Sequence, residues 1–170
     1  VDNGTTNVTN TYKSAGGNTW NGGWYTSGYT APVTFEYKTS ASSGDDGQSY
    51  KQIGISDSES EASEAASSNN MDIYHYAYYQ SGTNLVGSDV TGENVATPWN
   101  STDTFYVVYK TNGDLEWWQA GTKFKTVSWG VGKTVYFSAR LHKQSNGSDN
   151  GTVKNIRIKR RQWDGTKYIN

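Results

Sequence analysis

The sequence predicts an all-β protein, a sandwich of two antiparallel sheets, and three observations carry that expectation. Short runs of β-branched and aromatic residues recur between clusters of Gly, Asn, Ser and Asp, several with a period of two. Helical periodicity is nearly absent. The 170 residues hold 7 Trp and 13 Tyr at a mean hydropathy of -0.82. That is more ring surface than a small core needs, and two sheets with one inner and one outer face each can bury part of it and display the rest.

The elements follow in order. Residues 1–19, rich in Gly, Asn and Thr, read as a linker-like start, with residues 20–170 forming one sandwich domain. Trp20, Trp24, Tyr25 and Tyr29 lead into an edge strand. In the run Val33 to Thr39, Phe35 and Tyr37 alternate with Thr34, Glu36 and Lys38, so one set faces a core. Tyr50 to Ser56 is the next strand. Ser58 to Ala66, dominated by Glu and Ala after Asp57 as a cap, suits either a short surface helix or an acidic loop. Asp72 to Gln80 is a strand that sends Tyr74, Tyr76 and Tyr78 to one face and His75, Ala77 and Tyr79 to the other.

Thr104 to Lys110 and Leu115 to Gln119 flank Asn112-Gly113-Asp114, where Asn and Gly accept the positive φ of a primed hairpin turn. Alternation there splits Trp117 from Trp118: one indole belongs to the core, the other to the outside. The last two strands, Thr134 to His142 and Thr152 to Arg161, are joined by a polar tip at Ser145 to Gly151. Val153, Ile156 and Ile158 of the final strand should face the core.

A net charge of -1 and a pI near 6.1 favour neither a nucleic-acid binder nor a membrane-surface protein. The charge is nevertheless uneven. Asp45, Asp46, Asp57, Glu59, Glu61 and Glu64 share their stretch with Lys51 alone, whereas Lys154, Arg157, Lys159, Arg160, Arg161 and Lys167 crowd the end. The absence of Cys removes disulfides, thiolate nucleophiles and Cys-bound zinc together. No apolar run approaches the roughly 18 residues of a membrane span, and Val1 without an initiator Met reads as the start of a mature or excised piece. Asn-x-Ser/Thr triplets at Asn3, Asn7, Asn100, Asn146 and Asn150 would accept glycans only in a eukaryotic secretory route.

From Val33 to Arg161 the order of elements resembles a concanavalin A-like lectin/glucanase domain, the jelly-roll sandwich shared with laminin-G-type and SPRY-like modules. The resemblance rests on Gln52-Ile53-Gly54-Ile55-Ser56, on the Tyr-rich run from Asp72 to Tyr79, and on Asp103 to Tyr109 with its Asn112-Gly113 hairpin and the return Leu115 to Trp118. It extends to the paired runs Val135 to Ala139 and Gly151 to Ile158. About three quarters of the chain is covered. The resemblance implies a scaffold used for polysaccharide binding, polysaccharide cleavage and adhesion alike.

The glucanase branch places three carboxylates on one face of a strand by a Glu-x-Asp-x-x-Glu run. Glu59, Glu61 and Glu64 reproduce that spacing, but Ser60, Ala62 and Ser63 stand where apolar residues would hold the strand in its sheet. A solvated acidic loop is the expectation. Two strands are also similar to the alginate-lyase branch. Gln52-Ile53-Gly54 lacks that branch's His, and in Tyr136 to Gln144 the residue in place of the catalytic Tyr is His142. No Arg precedes Arg140 to neutralise a uronate, so His142, Tyr136 and Gln144 form an incomplete set. Asp45, Asp46 and Asp57 offer hard oxygen ligands that suit calcium, without a calcium-loop motif. No other cofactor is expected.

The reading that emerges is a non-catalytic carbohydrate-binding or adhesion module of a larger extracellular, cell-surface or viral fibre protein. Its alternatives are a polysaccharide lyase or glycoside hydrolase, or a structural capsid or appendage domain that meets copies of itself or a parent fibre. Ligand-binding candidates are Trp99 and Trp129, set where the chain turns, one of Trp117 and Trp118, Tyr76 and Tyr78 on the Tyr-rich strand, and Arg157 on the basic strand.

Overall fold

The computed structural model describes residues 5–8, 12–13, 25–39, 49–60, 73–78, 83–88, 91–95, 102–143 and 152–170. Apart from a helical turn at Glu59 and Ser60, their regular structure is antiparallel strand. The strands are β1 (Thr5–Val8), β2 (Tyr12–Lys13), β3 (Val33–Thr39), β4 (Ser49–Ser56) and β5 (Ile73–Tyr78). They continue as β6 (Thr83–Ser88), β7 (Thr91–Val95), β8 (Phe105–Tyr109), β9 (Asp114–Gln119) and β10 (Thr122–Ser128). The last are β11 (Tyr136–Lys143), β12 (Thr152–Lys159), β13 (Gln162–Trp163) and β14 (Tyr168–Ile169).

A seven-stranded sheet runs in the order β1-β12-β3-β8-β9-β10, with β2 also on β12. A five-stranded sheet runs β11-β4-β5-β6-β7, and β13 and β14 form a separate hairpin. β1 and β2 fall inside the segment expected to be linker-like. By pairing with β12 they place that basic strand inside the large sheet rather than at its edge. Residues 25–30 run beside β11: Tyr29 and Val135 exchange backbone hydrogen bonds, and Thr26 bonds to Phe137 through both its N–H and its hydroxyl.

The core lies between the sheets. Phe35 of the large sheet stacks on Phe137 of the small one with centroids 4.9 Å apart, and Tyr37 meets Phe105 and Phe137. Val33, Phe35 and Tyr37 are fully buried, as the alternation of β3 requires. In β12 the inward set Val153, Ile156 and Ile158 breaks the period of two between its first and second members. The register with β3 shifts between Lys154 and Arg157, and Asn155 takes φ 54°. A bulge thus restores the inward direction of the two isoleucines.

The turn at Asn112-Gly113 differs from the expected primed type. Of these residues Gly113 alone takes positive φ, 89°, after a tight turn in which its N–H bonds to Lys110 O. A side chain at Gly113 would meet the backbone of Gly130 and Val131 at 2.7 Å, because the hairpin tip packs on that loop. Tyr109, buried in the core, anchors the same loop: its hydroxyl donates to Gly130 O and accepts from Lys133 N. Positive φ at two successive positions occurs instead at Ala120 (46°) and Gly121 (88°), the two-residue turn between β9 and β10.

Candidate functional site

Alternation in the large sheet sends one residue in two away from the core, and the register aligns these across strands. Arg157, Glu36, Tyr106, Trp118 and Lys123 form one such cross-strand row, on β12, β3, β8, β9 and β10 in turn. The neighbouring row contains Thr34, Val108 and Glu116. The β13–β14 hairpin lies across this outer face. Trp163 stacks flat on Tyr106, centroids 4.4 Å apart and planes 7° from parallel, and leans on Tyr168 at 5.1 Å. The Tyr168 hydroxyl donates to Glu36 Oε2 at 2.6 Å, Lys159 Nζ sits 3.7 Å from the Tyr168 ring centre, and Thr34 Oγ1 donates to Arg161 O. Burial and the Glu36 carboxylate both push the Tyr168 hydroxyl up from its ordinary value.

Between the hairpin and the strands β9 and β10 opens a cleft of about 250 Å³. Trp118 and Trp163 supply its indoles, Ile169 an apolar edge, and Lys110, Lys123, Glu116, Gln162 and Asp164 its polar groups. Glu116 is nearly inaccessible, at 4% exposure. Its Oε1 accepts from Lys110 Nζ at 3.3 Å and Lys123 Nζ at 3.1 Å, and its Oε2 from Trp118 Nε1 at 3.2 Å. A carboxylate so far out of water persists only when paired in this way. It fixes the indole and both ammonium groups in the cleft wall, while Lys123 also approaches the Trp118 ring at 5.6 Å.

Asp164 opens the loop that closes the hairpin. Its Oδ1 accepts from Thr166 N at 2.9 Å, Thr166 Oγ1 at 2.8 Å and Lys167 N at 2.8 Å. The backbone N–H groups of Lys167 and Thr166 hold its carboxyl below the usual carboxylate range. Gly165 follows with φ 101°, and a side chain there would meet the Trp118 ring at 2.6 Å. Only a glycine lets the loop backbone reach that ring.

The sequence candidates divide around this geometry. Trp118 lies in the cleft. Trp117 is 1% exposed and is the core member of the pair: it shares a strand face with buried Leu115 and Gln119, and that face looks inward. Trp129 is half-buried against the core with Lys133 Nζ 4.3 Å from its ring centre, so it acts as a lid rather than a projecting ring. Arg157 is exposed and pairs with Glu36 at 3.4 Å, outside the cleft. Trp99, Gln144, Glu61, Glu64, Asp45 and Asp46 lie outside the described residues.

Glu59 stands in a helical turn beyond the end of β4, not on a strand. Asp57 is exposed and pairs with Lys133 at 3.2 Å. Among the described residues no three His, Asp or Glu side chains gather as a metal would require, and no helix is long and apolar enough to cross a membrane. On the small sheet Tyr76 is paired with Gln52, which faces Arg140, and His142 is paired with Tyr50. Tyr78, at the end of β5, pairs with Thr83 of β6. Tyr136, half-buried, stands at the start of β11 beside Gly28.

Sequence reasoning missed Glu116, Lys110, Lys123, Gln162 and Asp164. The Asp164-Gly165 pair was the available signal, since Asp-Gly between aromatic residues marks a turn.

No protein-family model and no curated protein sequence matches this chain. Solved structures do. An endo-beta-1,3-glucanase from Pyrococcus furiosus superposes with TM-score 0.60 at 13% identity, over 100% of this chain and 80% of that one. The carbohydrate recognition domain of Emp46p gives 0.60 at 10% identity over 92% and 88%, and a Bacillus licheniformis beta-glucanase 0.56 at 10% over 94% and 84%. The fold of this chain is thus the concanavalin A-like jelly roll, as its strand order suggests.

Proposed function

We propose that this protein is a carbohydrate-binding module that stacks a sugar ring in the cleft between Trp118 and Trp163, without cleaving it. The observation that carries the reading is the convergence of two indoles with hydrogen-bonding side chains from β9, β10 and the hairpin on one open cleft. A pyranose presents a C–H face to an aromatic ring and hydroxyls at its rim, and this cleft offers the complement of both. That a carbohydrate recognition domain shares the fold supports the same reading.

The carboxylates of the cleft argue against hydrolysis there. Glycoside cleavage by two carboxyl groups needs one protonated as the acid and one available as base or nucleophile. Glu116 is committed to two lysines and an indole N–H, and Asp164 is held in its ionised form by its own loop. Asp164 is thus unsuited to be the protonated partner, and both oxygens of Glu116 are already occupied by hydrogen bonds.

A panel of immobilised and soluble glycans, scored for binding and for new reducing or unsaturated ends, tests the proposal. The expected outcome is binding without new ends, weakened about fivefold to tenfold by Trp118→Ala, the effect of losing a stacked ring worth about 1 kcal/mol. New chain ends that disappear in Glu116→Gln would replace the module by an enzyme.

A further inference from the structure

We infer that the cleft selects an uncharged sugar unit over a uronate or sulfated one, and that Asp164 is the group that reads its hydroxyls. The inference rests on the carbohydrate-binding reading above and names the ligand class of that same cleft.

The first argument is charge. The ionised groups lining the cleft are Lys110, Lys123, Glu116 and Asp164, two cations and two anions, which cancel. The lysines are not an idle anion trap, because both are drawn onto Glu116 Oε1. An incoming sugar carboxylate or sulfate would have to compete with a buried carboxylate already in contact and would approach Asp164 as a like charge. Two further basic groups of this face, Arg157 and Lys159, both pair with Glu36.

The second argument is the geometry of Asp164. All three hydrogen bonds from Thr166 and Lys167 fall on Oδ1, which fixes the carboxylate before any ligand arrives. Oδ2 accepts none of the three. An ionised carboxylate only accepts, so its partner must bring a donor, and a hydroxyl bonded to it makes a charge-assisted contact. A neutral sugar is a dense source of such donors. Lys110 and Lys123, each with ammonium protons beyond the one given to Glu116, supply the complementary donors for hydroxyl and ring oxygens. The cleft thus presents an acceptor on its hairpin side and donors on its sheet side, with indoles between.

Calorimetric titration separates the possibilities. The probes are neutral tetrasaccharides of glucose, galactose and mannose, a tetrauronate, and a sulfated tetrasaccharide, each in about 0.02 M and about 0.5 M salt. At least one neutral probe is expected to bind, with affinity constant within about twofold between the two salts, while the anionic probes bind at least about tenfold more weakly. Asp164→Asn, which keeps the acceptor at Oδ1 and hence the loop, should weaken the neutral probe about tenfold. An unchanged near-UV dichroism spectrum confirms that the loop and Trp118 stay in place. Tighter binding of an anionic probe that salt abolishes overturns the charge inference and leaves the carbohydrate reading standing. Neutral binding indifferent to Asp164→Asn overturns the role of Asp164. Binding of none of the probes, or binding untouched by Trp118→Ala, overturns the reading of the cleft itself and the inference with it.

Discussion

Trp117 and Trp118 are chemically identical neighbours with opposite fates, and the peptide geometry of one strand is the reason. Trp117 sits at 1% exposure among the core rings, Trp118 in the cleft with its N–H on Glu116. Trp117→Ala should lower stability by about 3–5 kcal/mol through lost burial and the cavity left behind, read by urea or thermal unfolding. Trp118→Ala should cost less than half of that while weakening ligand binding. Equal losses of stability would mean that the indole of Trp118 is structural. Gly165→Ala should also act through Trp118: with φ at 101° and a ring 2.6 Å from the new Cβ, the loop must shift. A loss of about 1–3 kcal/mol with changed Trp fluorescence is expected. At this scale the sequence was informative about parity, since Leu115 and Glu116 mark the inner and outer faces of β9. It was silent about Glu116 itself, whose partners come from the residue after β8, from β9 and from β10 and are separated by turns that no local pattern specifies.

The β13–β14 hairpin is the element on which the cleft depends, and its docking has two titrating anchors. Tyr168 is pushed up from its ordinary value of about 10 by burial and by Glu36. A raised pKa means that the folded state holds the proton more tightly. Its contribution is therefore complete below about pH 10 and declines as the pH rises from there towards the folded-state value. Asp164 is shifted the other way. Its contribution is present above the ordinary carboxylate range and is lost as the pH falls through its depressed folded value. The hairpin should thus stay docked across the neutral range and loosen at both extremes. Trp163 fluorescence follows the docking, and tyrosinate absorbance reports the alkaline limb. Tyr168→Phe should remove about 1–2 kcal/mol and leave an alkaline transition set by the remaining tyrosines, including fully buried Tyr37. A wild-type alkaline limb identical to that of Tyr168→Phe would contradict the account.

Elements with a clean period of two, β3, β4, β8 and β9, lie within a residue or so of where the sequence puts them. β10 escaped because the register shift opposite Trp117 and Trp118 falls on Phe124, three residues before Val127, so that its two apolar members do not keep a period of two. The turn that creates it, Ala120-Gly121, carries Ala where positive φ is normally announced by Asn or Asp.

Across the whole molecule, two sheets bury one face each and leave two outer faces. The large sheet's outer face is partly roofed by the hairpin, and the roof's open side is the cleft. The fold was legible because binary patterning is local, whereas the cleft was not, because it joins residues from 110 to 169 through tertiary docking. The central claim is that a sugar lies in this cleft. Indole ¹⁵N–¹H spectroscopy tests it most directly, since the chain has 7 Trp and hence as many resolvable N–H reporters. On titration with the tightest-binding glycan the signals of Trp118 and Trp163 should shift in saturable fashion, with the same dissociation constant, while Trp117 in the core stays unmoved. Shifts confined to Trp20, Trp24 or Trp99, with Trp118 and Trp163 unchanged at saturation, would contradict the account and move recognition to another surface.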